Sequence, residues 1–335
     1  SCRMTQPILT IKDMAITFTS PDEPDIEAVR QVDLTLTPGK TLALVGESGC
    51  GKTVTARAVL RLLDKNAEIG RGSIVFSPEG QQPTDIARLK QDSLPLRAIR
   101  GNQISMIFQE PMSTFDPLYT IGYQLSEVAK AHMPWDDART REEIISVLRK
   151  VNIPEPEKRY REYPHEMSGG MLQRIMIAMA LITGPEIIIA DEPTTALDVT
   201  IQAQVLNIMR DLQSEFNGSI IFITHDLGVV SEIADRVHVM YAGKIVEKAG
   251  VNELYKKPAH PYTKGLLNSR VKRDFKGQKL PYIEGYVPRA YEFPEGCRFN
   301  PRCPHAMEIC KKDPPEMLVS ENHTAACWLY GEGGI

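Results

Sequence analysis

The chain has 335 residues, 42% of them hydrophobic and 24% charged, which is the composition of an ordinary globular protein and excludes disordered, collagenous and coiled-coil chains. With 39 Lys and Arg against 43 Asp and Glu the net charge is −4, and no long basic block points to nucleic acid or an anionic lipid surface. The longest apolar runs, Ile175–Ile182 and Glu186–Ala190, fall far short of the ~20 residues that cross a bilayer.

The opening Ser-Cys-Arg-Met has no basic stretch leading into an apolar segment, so no secretory signal and a cytoplasmic setting are expected. Apolar alternation from Ile8 to Phe18 predicts a strand, and Val32–Leu36 a second one after a turn rich in Pro and Asp at Ser20–Asp25. Pro38-Gly39 then turns the chain into Thr41–Val45, a short, continuously apolar strand of the buried kind. Another such strand is Ile104–Phe108, followed by Gln109-Glu110-Pro111 and a helical insertion over Met112–Pro164. Beyond it the pattern predicts a helix from Ser168, a strand at Glu186–Ala190, a helix from Val199 to about Phe216 and a strand at Ser219–Thr224. Two short strands then end near Glu247. Alternating strand and helix imply a largely parallel sheet. Past Pro258 the texture changes to Pro, Gly, Tyr, charge and cysteine without clear periodicity, which places a domain boundary there; no internal repeat is present.

Gly46-Glu47-Ser48-Gly49-Cys50-Gly51-Lys52-Thr53 fits GxxxxGK[ST] between the strand Thr41–Val45 and a predicted helix Thr53–Leu63, the context that this phosphate-binding motif requires. The glycines let backbone N–H groups wrap the phosphates and the helix N-terminus adds its positive end. Lys52 would contact the β- and γ-phosphates, and the Thr53 hydroxyl would reach Mg²⁺. Cys50 reads as a passive member of the loop. Such a loop needs a carboxylate at the end of a neighbouring buried strand, and Ile187-Ile188-Ile189-Ala190-Asp191-Glu192 supplies it. Asp191 would hold Mg²⁺, and Glu192 is suited to orient or deprotonate the attacking water.

Met167-Ser168-Gly169-Gly170-Met171, between the loop and the acid pair, resembles the signature motif of the ABC-transporter ATPases. On the residues alone, Ser168 is a helix N-cap and the two glycines expose N–H groups for an anion. Met171 stands where Gln is commoner and Met167 where Leu is, leaving the Ser-Gly-Gly core intact. The resemblance implies that Ser168, Gly169, Gly170 and Met171 contact the ATP held by an opposite subunit. It also implies that Gln109 is the residue touching Mg²⁺ and water, that Ala196-Leu197-Asp198 lies at the dimer seam, and that His225 contacts the γ-phosphate. Phe18 is the candidate to stack on adenine, with a plain core phenylalanine as the alternative. The implied fold is an α/β P-loop nucleotide-binding domain with a mixed sheet core, an antiparallel β layer and a helical subdomain at about 112–168. It would span residues 4–257, followed by a small irregular extension over 258–335. Two such domains would sandwich two ATPs head to tail, and water would attack the γ-phosphate in line.

Of six cysteines, Cys2 and Cys50 stand alone and Cys297, Cys303, Cys310 and Cys327 crowd the tail. Such a cluster in a reducing compartment points to a metal before a disulfide framework. Its C-x5-C-x6-C-x16-C spacing by itself favours neither a zinc ribbon nor a ferredoxin-type cluster. The tail, with His260-Pro261-Tyr262-Thr263 and Gly296-Cys297-Arg298-Phe299-Asn300-Pro301-Arg302-Cys303-Pro304, resembles the C-terminal extension of the dipeptide, oligopeptide and nickel importer ATPases. That resemblance implies a [4Fe-4S] cluster on the four cysteines, with Zn²⁺ as the alternative; His305 and His323 lie nearby and are not counted as ligands.

The same resemblance implies a peripheral protein at the cytoplasmic face of the inner membrane, paired with a second ABC ATPase subunit beneath two transmembrane permease subunits. An extracytoplasmic substrate-binding protein would take part indirectly, and no nucleic acid would be involved. Di- or oligopeptides are the favoured cargo; nickel chelates, glutathione or oligosaccharides are alternatives within the same importer type. An ABC ATPase of DNA repair is the rival outside transport, but such chains carry zinc modules or long coiled coils, and no sustained heptads appear here.

Overall fold

The computed structural model describes residues 6–195, 197–270 and 283–331. The expectations attached to Cys2 and Ala196 lie outside these residues. The strands in chain order are β1 (Leu9–Ser20), β2 (Glu23–Leu36), β3 (Thr41–Val45), β4 (Ala67–Phe76), β5 (Thr84–Asp85), β6 (Ile104–Ile107), β7 (Ile187–Asp191), β8 (Ser219–Thr224), β9 (Arg236–Tyr241), β10 (Lys244–Gly250), β11 (Met317–Ser320) and β12 (His323–Ala325). The chain divides into two compact units, one built on Thr37–Lys40 and Leu89–Ile223, the other on Pro7–Leu36, Thr41–Arg88 and Thr224–Ile335.

In the first unit β6, β7 and β8 run parallel, with Ile104 opposite Ile187 and Ile187 opposite Ser219. Every residue of β7 and β8 is buried, as their unbroken apolar runs require of strands covered on both faces. The expected insertion is helical. The helix Ile121–His132 starts at Thr120, whose hydroxyl accepts from the Tyr123 N–H at 3.3 Å. The helix Asp137–Lys150 starts at Asp136, which accepts from Arg139 N–H at 2.8 Å. The two pack on each other, and the second also packs on the helix Gly169–Leu181. Leu125, Ile144, Leu148, Leu172 and Ile175 are fully buried.

In the second unit β2-β1-β4-β5 form one antiparallel sheet, so the early strands make the expected β layer with two more partners than the sequence suggested. A separate mixed arrangement runs β11-β12-β10-β9-β3, with β3 parallel to β9 and the other pairs antiparallel. Tail residues enter its core: Tyr262 and Phe299 are buried against Val45, Val239 and Tyr241. The ring of Phe299 stands edge-on to Tyr241 at 5.1 Å. The described part of the segment after Pro258 is thus packed structure, with a helix at Pro261–Arg270 and the hairpin β11–β12, where the sequence showed no periodicity.

One tight turn ties three parts of this unit together. Ala242 and Gly243 link β9 to β10 with φ of 45° and 78°, the two-residue hairpin that matches strand twist. A Cβ on Gly243 would lie 1.8 Å from the Ala28 carbonyl oxygen, so only glycine fits. Its carbonyl accepts from Arg30 N–H, and its N–H donates to the Cys50 carbonyl, both at 2.9 Å.

Candidate active site

In the second unit the loop Gly46–Gly51 leaves the C-terminal end of β3 and enters the helix Lys52–Val59, whose N-cap Gly51 is left-handed at φ 99°. Gly46 passes so close to β9 that a Cβ there would meet the Met240 carbonyl at 2.2 Å. Lys52 is buried, and its Nζ donates to the carbonyls of Gly46 at 2.7 Å and Glu47 at 2.9 Å, with the Cys50 Sγ at 3.6 Å. Ser48 and Gly49 are exposed, and Thr53 is half-buried in the first helical turn. The result is a cationic, N–H-rich bowl at a helix N-terminus, suited to a polyphosphate. Cys50 is fully buried, and burial pushes its thiol up despite the nearby Lys52, which leaves it neutral and a poor nucleophile.

The loop has a second set of anchors from the tail. Glu47 N–H donates to the Tyr262 hydroxyl at 2.9 Å, and the Glu47 carboxylate accepts from both terminal nitrogens of Arg302, at 2.9 and 3.2 Å. Burial keeps the Tyr262 phenol protonated far above the ordinary tyrosine range. His225 is exposed just after β8, ahead of Asp226, which caps the next helix through Gly228 N–H at 2.6 Å. Phe18, half-buried on β1, stands opposite Ile26 and Ala67.

In the first unit Asp191 ends β7 and is buried, and Glu192, 8% exposed, takes a left-handed φ of 47°. For a non-glycine residue that conformation is uncommon and is tolerated where surrounding contacts hold it. Three do so here: Glu192 N–H donates to the Ile223 carbonyl at 2.9 Å, while Oε2 accepts from Gln109 Nε2 at 3.3 Å and Thr195 Oγ1 at 2.8 Å. Ser168 caps the helix Gly169–Leu181 by accepting from Met171 N–H at 3.2 Å. Ser168 and Gly169 are exposed, and a Cβ on Gly169 would meet nothing within 4 Å. A Cβ on Gly170 would lie 3.0 Å from the Ile201 side chain. Asp198 caps the helix Val199–Phe216, accepting from Ile201 N–H at 3.0 Å.

The four distal cysteines line one cavity together with His260 and His305. Among the described residues, however, no three or more His, Cys, Asp or Glu side chains form a group arranged to hold a metal ion. The expectation of a preformed cluster site is therefore not met. Burial instead favours the neutral thiol at three of the four: it pushes Cys297 up to about 11 and raises Cys303 and Cys327 as well.

Three contact residues had no place in the sequence expectation. Thr195 follows the acid pair by three residues in a Pro-Thr-Thr turn, a spacing that could have suggested a local hydroxyl contact to Glu192. Tyr262 and Arg302 reach Glu47 across 215 and 255 residues of sequence, and no local pattern carries that information.

Residues 29–195 match the family model described as ABC transporter, and residues 246–310 match the one described as oligopeptide/dipeptide transporter, C-terminal region. The chain is 47% identical to a putative peptide import ATP-binding protein of Brucella ovis, covering 98% of each chain. It is 45% identical to the dipeptide transport ATP-binding protein DppD of Bacillus subtilis, covering 97% of this chain and 95% of that one. With the oligopeptide transport ATP-binding protein OppD of Salmonella typhimurium the identity is 46%, over 96% of this chain and 93% of that one. Among solved structures, a dimeric ATP-binding cassette bound to ADP and Pi in a post-hydrolysis state superposes with a TM-score of 0.63 at 23% identity. The match covers 72% of this chain and 98% of that one, and establishes the shared fold.

Proposed function

Since this chain belongs to the family of ATP-binding proteins of ABC transporters, we propose that it is the ATP-hydrolysing subunit of an importer whose cargo is di- or oligopeptides. Relatives matched along nearly their whole length are named for peptide import or for dipeptide or oligopeptide transport, and its tail matches the region described for oligopeptide and dipeptide transporters.

The observation that carries the catalytic part is Glu192, held at a strand end in a strained backbone conformation by Gln109 and Thr195. In this reading Glu192 orients and deprotonates the water that attacks the γ-phosphate, and Gln109 fixes the carboxylate's direction. Lys52 and the loop N–H groups bind the β- and γ-phosphates, and His225 contacts the γ-phosphate. The Thr53 hydroxyl, Asp191 carboxylate and Gln109 amide are hard oxygen donors of the kind Mg²⁺ takes, and they would hold it; when bound, the ion neutralises phosphate charge.

Ser168, Gly169, Gly170 and Met171 serve the ATP of a partner ATPase, and Asp198 lies at the seam. The support is that Gly169 is exposed, faces open space and has no intramolecular reason to be glycine, as expected where another molecule approaches closely. The domain organisation follows: an ATPase domain to about residue 257, with the tail as its extension. No helix among the described residues is long and apolar enough to cross a membrane. Attachment to the inner membrane would therefore run through two permease subunits. The four tail thiols, soft donors lining one cavity free of carboxylates, are chemically suited to a [4Fe-4S] cluster or Zn²⁺. Such a group would drive off the thiol protons on binding.

The experiment is a pull-down from solubilised membranes with this chain as bait. Recovery of two multi-span subunits and a related ATPase supports the importer; recovery of nucleic-acid-binding partners alone overturns it and leaves the ATPase chemistry standing.

A further inference from the structure

The Glu47 side chain belongs to the phosphate loop, yet the guanidinium that grips it comes from the tail. Arg302 meets its carboxylate with two parallel N–H donors, the bidentate geometry that gives the strongest and most directional of such pairs. The Arg302 side chain is only 6% exposed, and it also donates to the carbonyls of Glu284, Ile283 and Gly285 and to the Tyr241 hydroxyl. Its guanidinium stands 5.7 Å from the centre of the Tyr241 ring. Tyr262 accepts the Glu47 N–H from the core side, with its ring locked between Tyr241 and Phe299. The guanidinium and the hydroxyl thus fix one loop residue at both its side chain and its backbone, from a rigid aromatic platform.

A phosphate loop works by presenting several N–H groups in one fixed concave arrangement, so whatever holds that arrangement before nucleotide arrives lowers the ordering cost of binding. We propose that the C-terminal tail is a built-in clamp on the phosphate loop, with Arg302 and Tyr262 acting as positioning residues that set nucleotide affinity through Glu47. This rests on the reading of Gly46–Thr53 as the nucleotide's phosphate loop. Neither residue needs to touch ATP; both act by holding Glu47.

The test uses the full-length chain, a fluorescent ATP analogue for Kd, and steady-state hydrolysis for KM and kcat. Arg302→Gln is expected to raise Kd and KM about tenfold while kcat stays within about twofold, the scale of a lost charge-assisted hydrogen bond. Glu47→Gln should give a similar rise in Kd, and the double variant no more than either single change, because both remove the same pair. Tyr262→Phe keeps the buried ring and removes only the acceptor for the Glu47 N–H. It guards against misfolding of the Arg302 variant and is expected to raise Kd several-fold. Parental Kd and KM in both Arg302→Gln and Tyr262→Phe, with only a lower melting temperature, would make the contacts merely structural and overturn the clamp. Lys52→Ala separates the two readings: if it binds nucleotide as the parent does, the loop assignment itself fails.

Discussion

Gln109 Nε2 and Thr195 Oγ1 converge on a single oxygen of Glu192, at 3.3 and 2.8 Å. Both donors are uncharged, so they aim the carboxylate without cancelling its charge, as a general base requires. Glu192→Gln keeps the shape and removes the basicity. Turnover is expected to fall by about 10²- to 10⁴-fold while ATP still binds and the dimer accumulates. Steady-state ATPase assays with gel filtration in ATP check this, and hydrolysis at the parental rate would remove Glu192 from the mechanism.

Ser168 has two separable tasks. Its hydroxyl caps the helix Gly169–Leu181, so Ser168→Ala should cost about 1 kcal/mol of stability. Ser168→Asp preserves a cap of similar strength but aims a carboxylate at the expected phosphate. It should therefore melt like the parent and still lose about tenfold or more of its ATPase activity. Equal activity in the Asp variant and the parent would reduce Ser168 to a cap.

Stability is expected to depend on pH through two buried histidines. Burial, with a smaller contribution from Lys264, pushes His260 down to about 3. Its Nδ1 accepts from the Tyr262 N–H, which a protonated ring could not do. Burial, with Lys248 and Arg236 nearby, also holds His238 well below its ordinary range. Both folded values lie below the unfolded value of about 6.5, so the unfolded chain takes up the extra protons. Stability is then complete above about pH 6.5 and falls on acidification by roughly 1.4 kcal/mol per pH unit for each histidine. Urea unfolding of His260→Asn between pH 7 and 5 should show a slope shallower by one proton; an unchanged slope would reject the assignment.

Cys297→Ser should bleach any broad visible absorbance of anaerobically purified protein. Zinc in place of iron and sulfide would give no such absorbance but about one Zn²⁺ per chain by elemental analysis, lost in the same variant. Protein that carries neither iron nor zinc would show that the four cysteines hold no metal in the cavity they line.

Much of the site could be read from local sequence because local chemistry decides it. The Gly-rich loop, the acids closing β7, the Ser168 cap and the helix Val199–Phe216 each depend on residues within a turn or two. The misses came from distant partners and masked endings. The helix after the loop stops at Val59 instead of Leu63, because Arg61 turns left-handed at φ 55° and Leu62 N–H closes back on the Arg57 carbonyl at 2.8 Å. Apolar residues continue past that point and hide the ending. β4 carries Gly70, Gly72 and two charges, Glu68 and Arg71, and its strand form rests on pairing, chiefly with β1 from Leu9 opposite Phe76 to Phe18 opposite Ala67.

β12 hydrogen-bonds to β10, placing Ala325 opposite Glu247, and the buried Glu247 carboxylate binds His323 at 2.8 Å and the N–H groups of Ala259 and His260. That seam constrains how such chains can diversify. Recombination that exchanged tails between two ATPases of this kind would have to carry matched partners for Glu247 and Glu47, or leave the buried Glu247 carboxylate stranded and the half-buried Glu47 unpaired. The tail and the loop should therefore be inherited as one unit, even though Glu47 lies 215 residues before Tyr262 and 255 before Arg302.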